Sequence, residues 1–137
     1  MNQLGIGTMI HYLYGGSEHE AKEYIGKKIK NIKLVDDTIT INFKDGINIA
    51  IFDDGQSCCE YRHIDTDDDL KYLKDGILRD IVVKNYEETE GEYGDVHEIA
   101  FLEVSTNKGS VVFQTHNEHN GYYGGFGLTI KELSAYQ

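Results

Sequence analysis

The chain has no proline, only two cysteines and only two arginines (Arg62 and Arg79) in 137 residues. Each shortage excludes something. Without proline, turns must be built from Gly, Asn and Asp, and "VDDT", "KDG" and "TNKG" supply them. Two cysteines side by side, Cys58 and Cys59, are poor material for the disulfide framework of a small secreted domain. The formal net charge is −11, from 24 acidic and 13 basic residues, which argues against direct nucleic-acid binding because a phosphate backbone needs clustered cations. No apolar run approaches the ~18 residues that suggest a membrane span. The opening "MNQLGIGTMIHYLYGG" lacks a basic stretch leading into an apolar one, so it does not read as a signal peptide. No P-loop, Gly-x-Ser-x-Gly or Rossmann fingerprint occurs, so no enzyme is expected. The expectation is one soluble, cytoplasmic domain over residues 1–137.

What is present is arranged twice in the same order. Ser17 with Glu20 three residues on makes a capping-box start for a short helix ending near Gly26. Lys27–Val35 reads as extended, a turn at Asp36-Asp37 follows, and Thr38–Phe43 and Ile47–Phe52 form a hairpin about "KDG". The pattern restarts with Thr66 as N-cap, Asp69 three residues on and Gly76 as helix stop. Ile77–Tyr86 is extended, an acidic loop follows, and His97–Ser105 and Ser110–Thr115 make a second hairpin about "TNKG". The predicted fold is α+β: antiparallel sheet or sheets with short helices on one side, and a helix–strand–hairpin unit repeated over 17–59 and 66–123. The segment "LGIGTMIHYLYGG" fits either an extended stretch or a short helix.

The acidic residues cluster in "DTDDD" and "YEETEGEYGDVHE". Asp67, Asp68, Asp69, Glu87, Glu88, Glu90 and Glu92 are either a solubilising surface or a face that docks on a basic groove of a protein partner. Charge alone does not choose between the two.

Each hairpin ends in a chemically loaded stretch: "SCCEYRH" after the first and "THNEHNGYYGGFG" after the second. Across a turn at Asn107-Lys108, Val104 faces Val111, Leu102 faces Phe113 and His97 falls opposite about Glu118. His97, His116 and His119 are therefore expected at one sheet end. Three imidazoles and a thiolate are the donors zinc takes in a tetrahedral structural site, so Cys58, Cys59, His97, His116 and His119 are the candidate ligands. Adjacent cysteines on extended backbone point to opposite faces, which favours one of the pair over both. His63, four residues beyond Cys59, is a looser candidate. Exposed loop histidines with small buried cysteines are the plain alternative. In "NGYYGG" the glycines permit a sharp turn, and Tyr122 and Tyr123 either pack it or offer an aromatic platform to a partner. Zinc hydrolysis with Glu118 or Glu98 as base would need the fourth position open, which a ligating cysteine would close.

The Cys-Cys pair after a KDG hairpin, "LKYLKDGILRDIVV" and the Asn-Gly-Tyr-Tyr-Gly-Gly run together resemble a family of small phage and prophage proteins over about Gly26 to Phe126. The chain also resembles zinc-containing anti-CRISPR proteins directed against type II effector nucleases. That resemblance implies an inhibitor that binds the effector and blocks target-DNA loading, with a structural zinc. The pattern keeps no histidine at the place of His63. The rival expectation is a phage anti-defence sponge for a nucleotide immune signal, stacking a base on the glycine-rich aromatic loop and meeting phosphates with Arg62, Arg79 and nearby lysines.

Overall fold

The computed structural model describes residues 21–53, 60–90, 94–119 and 126–133. They form eight antiparallel strands: β1 (Ile29–Val35), β2 (Thr38–Phe43), β3 (Asn48–Asp53), β4 (Glu60–Asp65), β5 (Leu78–Glu90), β6 (Val96–Thr106), β7 (Gly109–His119) and β8 (Leu128–Leu133). Two four-stranded sheets result, in the orders β1-β2-β3-β8 and β4-β7-β6-β5.

The fold is all-β, which overturns the α+β expectation. Among the described residues no helix is longer than a single 3-10 turn, as at Ala21–Tyr24 and Leu70–Leu73. The second is capped by Asp69, whose carboxylate accepts from Lys71 N, while Thr66 instead donates to Val112 O. A cap fixes where a helix starts, not how long it runs, and here the chain turns at once into a strand. The layer covering each sheet is the other sheet. The start of the first expected helix, the segment before it, and residues 57–59 and 120–125 of the two loaded stretches lie outside the described residues.

Alternation explains the strands. β2 runs half-buried, buried, half-buried, and β7 alternates along its whole length. The inward residues of the two sheets meet in one buried cluster. Ile39, Ile41, Ile49 and Ile51 from the first sheet join Leu78, Ile81, Leu102, Val104, Val111 and Phe113 from the second. The turn at Asp36-Asp37 puts both residues at positive φ, as a two-residue hairpin requires, and Asp37 accepts from Ile64 N of β4. The stretch after Tyr86, expected as an acidic loop, continues as strand to Glu90 and pairs with β6 through Glu90↔Val96.

The two halves enter their sheets in the same way, related by an approximate twofold. Lys28 bridges Ile77, Gly26 N donates to Leu78 O as Asp75 N does to Ile29 O, and Ile29 N donates to Gly76 O as Leu78 N does to Lys27 O. Tyr24 and Leu73, one from each 3-10 turn, are both buried. Each half runs turn of helix, three-stranded meander, then a fourth strand that crosses to the other half's sheet: β4 pairs β7, and β8 pairs β3. No helix among the described residues is long and apolar enough to cross a membrane.

Candidate functional site

Three neighbouring strands of the second sheet bring histidines together. The pairings His63↔His116 and Ile99↔His116 place β4, β7 and β6 side by side, and His97 sits opposite Glu118. The strand alternation then sorts the side chains. On β7, residues 115, 117 and 119 face the interior and 116 and 118 face outward. His63, His97 and His116 are half-buried on the outer face of the sheet. One ring nitrogen from each lies within 4.8 Å of the others.

The local geometry orients the rings. His63 stacks on His116 at 4.3 Å between centroids and 2° between planes, and Tyr61 stacks on His63 at 4.6 Å. His97 Nε2 lies 3.0 Å from His116 Nδ1. The opposite nitrogen of His116, Nε2, is 3.2 Å from Asp65, and His63 Nε2 is 2.9 Å from Glu118. Carboxylates only accept, so both Nε2 atoms carry hydrogen and the Nδ1 lone pair of a neutral His116 points at His97. Burial, with the neighbouring His63 and His97 adding to it, lowers the pKa of His116 despite Asp65. These nitrogens are the donors a transition metal takes, with carboxylates on the far ring nitrogen of two of the three.

His119 is not part of this group. It is buried on the inner face, 2.8 Å from Glu98, in a polar end to the sandwich core. There Arg62 contacts Asp53 at 2.9 Å and Glu60 at 2.7 Å, and Asn117 donates to Glu60. Burial alone would lower Arg62, but Glu60 and Asp53 hold its pKa above the ordinary value. Of the ligands expected from sequence, His97 and His116 come together, His119 faces the other way, and His63 takes its place. Period-two alternation along β7 already puts 116 and 119 on opposite faces. Cys58, Cys59, Glu92, Tyr122 and Tyr123 lie outside the described residues.

The acidic candidates divide by what they hold. Asp68 accepts from Val112 N and Asp69 caps the second 3-10 turn, so both carboxylates serve the fold. Asp67, Glu87, Glu88 and Glu90 are exposed, the last three on β5, an edge strand where charge also discourages strand addition. Negative charge gathers in one half of the chain. Residues 60–119 hold fifteen acidic against six basic residues, whereas residues 21–53 hold five against six.

The architecture thus defines a two-sheet antiparallel protein with an outward-facing histidine trio on its acidic half. Residues 22–127 match a family described as a domain of unknown function (DUF7448), and the chain belongs to that family. No curated protein and no solved structure matches the chain.

Proposed function

We propose that this chain is a phage-encoded inhibitor that binds a type II RNA-guided effector nuclease in the host cytoplasm and blocks loading of target DNA. The observation that carries the reading is the separation of charge: the second-sheet half is strongly acidic while the first is close to neutral. An effector of this type holds its heteroduplex and displaced strand in positively charged channels. An acidic face steers association with such a surface and competes with nucleic acid for it. The docking residues are Asp67, Glu87, Glu88 and Glu90, which are exposed, with Glu92, Tyr122 and Tyr123 added from the sequence. The choice of partner rests on the sequence resemblance. The protein acts by occupancy, without catalysis.

The nucleotide-sponge alternative is weakened by Arg62. One of only two arginines, it is committed to Asp53 and Glu60 with 8% of its side chain exposed. Target-DNA binding by a purified effector–guide complex, titrated with this protein at low and high salt, tests the proposal. Loss of DNA binding that follows inhibitor concentration and weakens at high salt is expected. Undiminished DNA binding across several type II effectors would refute it.

A further inference from the structure

We propose that His63, His97 and His116 form a binding site for one divalent transition metal ion, of the zinc class, on the outer face of the second sheet. The site requires neither cysteine and excludes His119. It stands independently of the partner proposed above.

Donor geometry defines the site. Two nitrogens bound to one tetrahedral zinc at about 2.0–2.1 Å stand roughly 3.3 Å apart. His97 Nε2 and His116 Nδ1 are already 3.0 Å apart, with the His116 lone pair directed into the gap. In the metal-free protein one hydrogen, on His97 Nε2, fills that gap. A metal ion replaces it, His97 turns its hydrogen-bearing nitrogen to Nδ1, and the two rings separate by a few tenths of an ångström. The third donor comes from His63, directly across from His116 in the strand register. A metal lies in the plane of each imidazole it binds, so the parallel His63–His116 stack must open. Tyr61, 60% exposed and stacked on His63, has room to move with it.

The surroundings are those of a ligand set. Asp65 on His116 Nε2 and Glu118 on His63 Nε2 fix the tautomer in which Nδ1 is free, the role outer carboxylates take around metal-bound histidines. Both carboxylates are more than two-fifths exposed, so neither was placed there to satisfy a buried charge. Three rigid, hydrogen-bonded strands hold the donors, so most of the ordering precedes binding. Nitrogen donors select zinc, copper, nickel or cobalt over magnesium and calcium, which require oxygen. With three ligands among the described residues on an outward face, the fourth position is open to water.

Cobalt(II) titration of the full, untagged, metal-stripped chain tests the site, with far-UV circular dichroism of every variant as the folding control. One equivalent is expected to bind with ligand-field bands and no thiolate-to-cobalt charge-transfer band. The Cys58→Ser/Cys59→Ser double variant should bind equally well. His63→Gln, His97→Gln and His116→Gln should each weaken binding by more than the ~10–100-fold expected for loss of an outer carboxylate, and the exposed Asp65→Asn by about that factor. Absence of stoichiometric binding, a thiolate band lost in the cysteine variant, or full affinity in folded His116→Gln and Asp65→Asn would each overturn the assignment.

Discussion

Gly26 and Asp75 perform the same backbone task with different chemistry. Each follows a 3-10 turn, each has positive φ (93° and 69°), and each sends the chain into the first strand of its half. A β-carbon at Gly26 would touch nothing within 4 Å, so Gly26→Ala tests backbone strain alone and should cost ~1 kcal/mol. Gly76 is the converse case. Its β-carbon would stand 2.9 Å from Thr106 Oγ1 and 3.0 Å from Leu73 O, so Gly76→Ala should be the more damaging. Urea unfolding of both variants checks the order. At this scale the sequence was informative about types and weak about directions. "KDG" and "DD" were readable as turns, and the imidazoles of His97 and His116 as neighbours at one sheet end, from chemistry and spacing. His63 was only a looser candidate, because its nearness to His116 depends on β4 pairing with a strand some fifty residues away.

Elements whose partners adjoin them in sequence were legible. The β6–β7 register follows from one turn, and Val104↔Val111, Leu102↔Phe113 and His97↔Glu118 lie where hairpin geometry puts them. β4 and β8 were missed because each is six residues long and finds its partner in the other half of the chain, a pairing no local pattern announces. The second helix was over-read because Thr66–Asp69 resembles a start, and a single turn has the same start as a long helix. The β5–β6 pair gives a test in solution. Lys84 lies 2.8 Å from Glu103, and this hydrogen bond, with help from Ser105 and Ser110, lowers the Glu103 pKa. A depressed carboxylate contributes stability above its unfolded pKa, ordinarily near 4.5, and loses it as pH falls through the folded value. Lys84→Met should move Glu103 back toward its ordinary range in a carboxyl-carbon NMR titration. It should also flatten the acid limb of the stability curve. An unmoved Glu103 would show that the ion pair has no hold on it.

At the scale of the whole molecule, the exchanged fourth strands make the two halves interdependent. β8 covers the edge of β3 and buries Leu128 and Ile130. A chain ending at Phe126 should therefore lose both sheets together and not the first alone, since one core serves both. Cooperative folding of that truncation, seen by circular dichroism, would contradict the shared core. The same interdependence holds the acidic half as a rigid surface, and on that surface the functional proposal stands. Its most direct test is target-DNA binding by an effector–guide complex in the presence of two charge-reversed proteins. One is Glu87→Lys/Glu88→Lys/Glu90→Lys on β5; the other is Asp36→Lys/Asp45→Lys on the first sheet. The β5 variant should lose inhibition by at least about tenfold, ~1.4 kcal/mol, with the first-sheet variant close to wild type. Equal inhibition by all three proteins, or loss confined to the first-sheet variant, would contradict the proposal.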